Sequence, residues 1–238
     1  YFGLEDKNLY LKNKEHATDS TFCLKCGAKL DYKGIFYSHL GHWQCPFCHN
    51  KRPAPDLSIW PEILPGVYNR YNTLAAVLTL LQFNLSKKEI ADNLCNFKPA
   101  FGRQEELVID GKKVRIFLAK NPAGFNESLR TVINLGAKKI LFVLNDRIPD
   151  GRDVSWIWDV DFEILPHNVT VIVSGDRLYD MAVRIKYAAK NNLTVEESLE
   201  KAIKIGLEKI KSKDILYILP TYSAMLEVRK ILKGKKIL

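Results

Sequence analysis

Lys139-Ile140-Leu141-Phe142-Val143-Leu144 runs directly into Asn145-Asp146-Arg147-Ile148-Pro149-Asp150-Gly151-Arg152-Asp153-Val154-Ser155-Trp156-Ile157-Trp158-Asp159, so an unbroken apolar run meets a loop crowded with charge. A short apolar run without polar alternation marks a strand covered on both faces. Val114–Leu118, Val169–Ser174 and Ile215–Leu219 read the same way. Helical stretches at Phe125–Leu135, Arg177–Asn191, Val195–Lys211 and Ser223–Leu232 separate these runs. The alternation predicts a parallel α/β sheet with crossover helices. In such sheets sites form on the loops past the strand carboxyl ends, which here are residues 119–126, 145–159, 175–177 and 220–223.

The 145–159 segment holds four acids, two arginines and two tryptophans. Charge that dense beside a core is costly unless it is paired or used. The plain reading is a salt-bridged loop in which Arg147 and Arg152 each neutralise a carboxylate and the tryptophans anchor the packing. The functional reading is a carboxylate held out for chemistry.

Working outward, Pro99 and Gly102 break the chain and set an expected boundary between domains at 1–98 and 99–238. Before it, Asn72–Gln82 is helical by apolar density. Ser86 should cap a second helix, Lys87–Asn96, with Glu89 completing a capping box. Residues 1–22 are polar, with one strand-like stretch at Asn8–Leu11.

Between these lie Cys23-Leu-Lys-Cys26 and Cys45-Pro-Phe-Cys48, two C-x2-C pairs separated by eighteen residues. This is zinc-ribbon spacing, and the expected ribbon spans 22–52 with Cys23, Cys26, Cys45 and Cys48 as ligands of a structural Zn2+. Gly27 supplies the permissive backbone that a knuckle needs. Ile35-Phe36-Tyr37 and His42-Trp43-Gln44 read as the ribbon hairpin, and Arg52-Pro53-Ala54-Pro55 as a stiff exit. Disulfides or simple packing are the competing readings; the unpaired fifth cysteine, Cys95, and the lack of a signal peptide favour a reducing compartment. His39 and His42 could replace a cysteine, but four thiols already in register make them surface residues. Four thiolates leave no open position on a metal, so the ribbon is expected to stiffen an insertion or dock a partner.

The 238 residues are 47% hydrophobic and hold no run long enough to cross a bilayer, so a soluble, cytoplasmic chain is expected. The formal charge of +9 is spread thinly along the helices and clusters only at Lys230–Lys236. That pattern argues against nucleic acid as a partner; an acidic phosphate substrate, an anionic membrane surface touched peripherally, or a merely solvated face accounts for it. The chain opens on Tyr1 and holds no G-x-x-x-x-G-K-[ST] phosphate loop, so it reads as the back part of a longer protein.

Three segments resemble the Mur ligase superfamily. Gly66-Val67-Tyr68-Asn69-Arg70-Tyr71-Asn72 resembles the asparagine-rich helix start of its central ATPase domain, where one asparagine lies beside the adenine. Phe101-Gly102-Arg103-Gln104-Glu105 looks like the G-R-x-E linker to its C-terminal domain. Ala119-Lys120-Asn121-Pro122-Ala123 sits where its D-Y-A-H-N-P motif falls, with Phe117 in place of the leading aspartate. The cysteine ribbon, K-N-P-A-G at Lys120–Gly124 and N-D-x-x-x-D-G-R-D-x-S-W-I-W-D at Asn145–Asp159 together resemble the MurT branch.

The resemblance implies the C-terminal part of a central domain carrying the ribbon, followed by a Rossmann-like C-terminal domain with a mainly parallel sheet. It implies a bacterial ligase subunit that uses ATP and Mg2+, amidates the D-glutamate of lipid II, and works with a glutamine amidotransferase subunit, GatD. A cysteine–histidine pair needs a third group to orient the imidazole. The resemblance implies that Asp153 donates that carboxylate across the interface, with Asp150 in reserve. It places Asn69 and Asn72 near the base of ATP and Arg103 near its ribose or phosphates. Lys120 and Asn121 then hold the acyl phosphate or the stem-peptide carboxylate. The plain alternatives are Asn72 as a helix cap, Asn69 and Asn121 as turn residues, and Lys120 as a solvated lysine. The phosphate loop, magnesium ligands and most lipid II contacts are expected outside these residues, so the chain alone should not ligate. Competing functions are a ligase adding an amino acid, against which Phe117 counts, and a nucleic-acid-binding ribbon, for which Lys25, Lys29, Lys33, Lys51 and Arg52 are too few.

Overall fold

Strand β1 (Asp31–Tyr37) and strand β2 (Leu40–Gln44) form an antiparallel hairpin closed at Ser38-His39, with Ser38 in the left-handed region at φ 48°. The strands close tightly at Gly41, where a Cβ would stand 2.2 Å from the carbonyl oxygen of Gly34. The computed structural model describes residues 1–16, 18, 20–100, 102–188, 192–208, 210 and 214–234. Phe101, the expected helix ends at Asn191 and Lys211, and Lys235 and Lys236 of the basic tail lie outside the described residues. The chain divides into two compact units, Tyr1–Lys98 and Pro99–Leu238.

In the first unit, Phe36 of β1 is fully buried against Leu4, Tyr71 and Leu74, and the Phe36 and Tyr37 rings meet Tyr71 edge-on at 6.3 and 5.5 Å. Helix α1 (Val67–Gln82) supplies Tyr71 and Leu74. It starts five residues before the expected Asn72, because Gly66 at φ 107° turns the chain into it. Asn72 is therefore an exposed residue within the helix and not its cap. Helix α2 (Lys87–Leu94) carries the expected capping box: Ser86 accepts from the Glu89 N–H and the Glu89 carboxylate accepts from the Ser86 N–H. The expected strand at Asn8–Leu11 is instead a 3-10 turn at Lys7–Leu9. The Asp6 carboxylate accepts from the Asn8 N–H at 3.0 Å, and that local bond wins over extension. Leu11 still reaches the hairpin, donating its N–H to the Ile35 carbonyl.

The second unit opens with a strand that the linker reading of Gly102–Glu105 missed. Strand β3 (Arg103–Ile109) pairs antiparallel with strand β4 (Lys112–Phe117) through Asp110-Gly111, both at positive φ. Asp-Gly in that conformation is a type I′ hairpin turn. Helix α3 (Pro122–Asn134), strand β5 (Lys139–Val143), strand β6 (Thr170–Ser174), helix α4 (Leu178–Tyr187), strand β7 (Leu193–Val195), helix α5 (Leu199–Glu208), strand β8 (Ile215–Pro220) and helix α6 (Tyr222–Lys233) follow. Strand β7 occupies residues adjoining and beginning the expected helix at Val195: the β-branched Thr194 and Val195 pair with Ile172 and Val173 of β6. Helix α5 starts only after Ser198, whose hydroxyl accepts from the Lys201 N–H.

Among the described residues these strands form one sheet in the order β3-β4-β8-β5-β6-β7, parallel throughout except for β3. Strand β5 is buried along its whole length and feeds both faces by alternation. Ile140 and Phe142 join Phe125, Leu129, Met181 and Ile185 under α3 and α4. Leu141 and Val143 join Ala202, Ile203, Met225 and Val228 under α5 and α6. The result is a three-layer α/β sandwich with β5 and β8 at its centre.

Candidate functional site

The chain runs from β5 outward to β6 and β7 and then returns to β8 on the other side of β5, so the switch in strand order lies between β5 and β8. The crevice beyond strand ends at such a point is where open α/β sheets hold their ligands. Asn145, only 1% exposed, stands there and ties three loops together. Its N–H donates to Thr221 Oγ1 at 3.0 Å, its Nδ2 to Ser223 Oγ at 3.1 Å, and its Oδ1 accepts from the Asp176 N–H at 2.9 Å. Gly175, at φ 101°, admits this approach, since a Cβ there would stand 2.6 Å from the Leu144 carbonyl oxygen. The structure thus brings the 145–159, 175–177 and 220–223 loops together. The 119–126 loop joins them through the Ala119 N–H, which donates to the Pro220 carbonyl, while the buried Asn126 bonds Asp161, just past the 145–159 loop. Asn145 was not singled out from the sequence, although an asparagine immediately after a fully apolar strand is the signal that marks it.

Arg147 neutralises carboxylates as expected, but they lie outside the 145–159 loop. Arg147 reaches out of the loop to Asp176, at 2.7 Å, and to Glu227 of α6; Asp146 pairs with Arg177 at 3.1 Å. Arg152 is exposed. Trp156 packs against Phe125 with ring centroids 5.9 Å apart, whereas Trp158 is half exposed, edge-on to Tyr187 and under the buried Arg184 guanidinium. Only Trp156 is a packing anchor.

Asp150 and Asp153 differ sharply. Asp150 is engaged through both oxygens: Oδ1 accepts the Ser223 N–H at 2.8 Å and Oδ2 accepts the Ser223 hydroxyl. Thr221 is the cap residue of α6, yet its hydroxyl is committed to Asn145, so Asp150 satisfies an orphan donor of the α6 N-terminus from 73 residues away. Asp153 is exposed, and one of its oxygens accepts the Ser155 N–H at 2.8 Å. Bonds from the Ser155 N–H and side chain, opposed by slight desolvation, hold its carboxyl below the usual aspartate range. It is a charged acceptor that is held in place locally yet faces outward.

The other sequence-selected residues fall as follows. Asn121 is the N-cap of α3, its Oδ1 accepting the Gly124 N–H at 2.8 Å, and Lys120 beside it is exposed. Phe117 is buried against Tyr217, at 6.1 Å. Arg103 is exposed at the start of β3, between Gly102 and Gln104, both at positive φ, where the register with β4 shifts. Glu105 accepts from the Gly102 N–H and pairs with Arg229 and Lys233 of α6. Burial works against its ionisation, but Lys233, the Gly102 N–H and Arg229 outweigh it and hold its carboxyl below the glutamate range. In the first unit, Asn69 is buried and donates Nδ2 to the Pro65 carbonyl at 2.8 Å, while Asn72 is exposed.

Also in the first unit, the sulfurs of Cys23, Cys26, Cys45 and Cys48 lie within 4.8 Å of one another, with Cys23 to Cys48 at 3.6 Å and Cys26 to Cys45 at 3.5 Å. A tetrahedral ion with Zn–S near 2.3 Å needs sulfurs about 3.8 Å apart, so the donor set fits. The two knuckles are built alike. Gly27 at φ 74° donates its N–H to Cys23 O, and His49 at φ 59° donates to Cys45 O. Burial raises the Cys23 thiol, but the Lys25 and Cys26 N–H groups and the Cys48 and Asn50 side chains bring it down to about 6. The Ala28 N–H favours the Cys26 thiolate, but burial and the neighbouring sulfurs push that thiol up to about 12. Four sulfurs this close cannot all ionise without a cation between them. His39 and His42 lie apart from the cluster. His42 is half-buried between Tyr10 and Glu5, not a surface residue, and its ring meets Phe36 at 5.5 Å.

A four-cysteine ribbon in the first unit and a mainly parallel sheet with its strand-end crevice in the second define a Mur-type ligase fold. A pseudomurein peptide ligase type C from Methanothermus fervidus shares that fold, with a TM-score of 0.68 at 22% identity over 98% of this chain and 52% of that one. The MurT ligase C-terminal family profile matches residues 118–225. The MurT subunit of the glutamine-hydrolyzing lipid II isoglutaminyl synthase of Staphylococcus aureus (strain COL) is 31% identical over 92% of this chain and 56% of its own length. The corresponding subunit of Streptococcus pneumoniae is 30% identical over 100% of this chain and 58% of its own. Along nearly its whole length the chain is similar to these MurT subunits, and it spans just over half the length of these relatives.

Proposed function

We propose that the chain is the ligase-side part of a lipid II isoglutaminyl synthase. ATP transfers its γ-phosphoryl group to the α-carboxylate of D-glutamate in the lipid II stem peptide, leaving ADP. Ammonia, released with glutamate when a GatD-type glutaminase subunit hydrolyses glutamine, then displaces phosphate to give the amide. The observation that carries this reading is the likeness to MurT subunits along the whole chain.

At residue level, Asp153 is the carboxylate proposed to reach the partner's imidazole, because it is exposed and ionised while Asp150 is committed to Ser223. A carboxylate in this role fixes the tautomer of the histidine and stabilises its imidazolium. Cys23, Cys26, Cys45 and Cys48 would hold a structural Zn2+. Among the residues proposed to face ATP, Asn72 and Arg103 are exposed, whereas the Asn69 amide already serves Pro65. Lys120 offers an ammonium to an acyl phosphate or a carboxylate; Asn121 supports it by starting α3. Addition of an amino acid is disfavoured by Phe117, a buried ring where the ligases of that type carry aspartate.

The test is to co-purify the protein with its glutaminase partner and assay glutamine hydrolysis. Asp153→Asn should leave the complex intact and lower hydrolysis by at least about a hundredfold. Undiminished hydrolysis would assign Asp153 a structural role, and failure to form a complex would remove the amidotransferase reading.

A further inference from the structure

The geometry points to the tip of the cysteine ribbon as a docking surface for an anionic lipid bilayer. Both knuckles turn their sulfurs to one cluster, which brings Leu24, between Cys23 and Cys26, and Phe47, between Cys45 and Cys48, to the same part of the ribbon. Leu24 is 101% exposed, Phe47 79% and Phe22 57%. A lone exposed apolar residue is ordinary, but three framing one rigid metal-type cluster make a patch.

Cations surround the patch. An antiparallel bridge sets Phe22 opposite Lys29 at the base of the first knuckle, and another sets Gln44 opposite Lys51 at the base of the second. Lys25 lies within the first knuckle, and Lys25, Lys29 and Lys51 are all exposed. Residues 21–52 hold Lys25, Lys29, Lys33, Lys51 and Arg52 against the single acid Asp31. Arg52 is occupied by Glu5 and the Leu4 carbonyl, which leaves the lysines as the available charges.

An apolar tip ringed by lysines matches the interface of an anionic membrane. Leucine and phenylalanine enter the boundary between headgroups and acyl chains while the ammonium groups extend to the phosphates. Phe22 and Phe47 could each stack on a base, but the fully exposed Leu24 between the first pair of cysteines cannot, and Arg52, the one arginine of residues 21–52, is already held by Glu5 and the Leu4 carbonyl. The hairpin and the knuckle bonds hold the tip rigid, so docking orders little. This inference stands on the first unit alone and does not depend on the ligase reading.

The experiment is co-sedimentation of the zinc-loaded chain with phosphatidylcholine vesicles, with and without about one third phosphatidylglycerol. Binding should require the anionic lipid and weaken as salt rises. A Leu24→Ser/Phe47→Ser variant that retains its metal should partition at least about tenfold more weakly. Lys25→Gln/Lys29→Gln should weaken binding and flatten its salt dependence. Absence of wild-type binding, or equal binding by the metal-loaded Leu24/Phe47 variant, overturns the proposal. So does a vesicle-independent dimer, or oligonucleotide binding, in place of vesicle binding.

Discussion

Asp150→Ala removes the acceptor that stands in for a side-chain cap on α6. The N–H and hydroxyl of Ser223 both lose a charged partner, and Thr221 cannot replace it because its hydroxyl serves Asn145. Loss of a helix cap costs about 0.5–2 kcal/mol, and loss of a favourable charge at the helix N-terminus about 0.3–1 kcal/mol. Asp150 is half-exposed and water partly replaces it, so a net cost of about 2 kcal/mol follows, with Tm lower by about 4–8 °C for a unit of this size. Thermal unfolding followed by circular dichroism measures the shift, and amide exchange of Ser223 reports the bond itself. Asp153→Ala, which touches only the exposed turn at Ser155, should leave both readouts unchanged. Equal destabilisation by the two substitutions, or an unaltered Ser223 amide in Asp150→Ala, would refute the division of one structural and one outward-facing carboxylate on which the site is built.

Two other outcomes are expected. Glu105 ionises more readily folded than unfolded, so its contribution is present above the unfolded glutamate pKa, near 4.3, and is lost as pH falls through the lower folded value. Glu105→Gln should lower stability at neutral pH and flatten its decline in acid, as read from urea unfolding across that range; a parallel decline counts against the Arg229–Lys233 pairing. Cys45→Ser replaces one of four mutually close sulfurs, and chromophoric chelator titration should find zinc binding weakened by at least about a hundredfold, with the Cys23 knuckle opened to alkylation. Retained tight zinc would show that the four sulfurs do not act as one site.

The sandwich was legible because its central strands are buried along nearly their whole length: Lys139–Val143, Thr170–Ser174 and Ile215–Pro220 follow the apolar runs to within a residue or so. The edges were not. Strand β3 is antiparallel at the rim and its residues alternate between exposed and covered, so it read as linker, although Asp110-Gly111 carried the turn signal. Strand β7 is three residues long and lacks an apolar run of its own. In the first unit Gly66 outweighed Asn72 as the start of α1, and Asp6 turned the expected strand at Asn8 into a 3-10 turn.

The residue string alone determined the cysteine register, the alternation of buried strands with helices, and the motif that links the chain to the MurT family, because covalent spacing and short-range periodicity carry that information. Which carboxylate is left facing outward was decided only in three dimensions. Asp150 and Asp153 are three residues apart and chemically identical; only the return of β8 beside β5 brings Ser223 to one of them, across 73 residues of sequence. Asn145 likewise acquires its partners from loops that no local pattern connects. Chain spacing is local, whereas hydrogen-bond satisfaction at the end of a sheet depends on strand order, and that is a property of the folded whole.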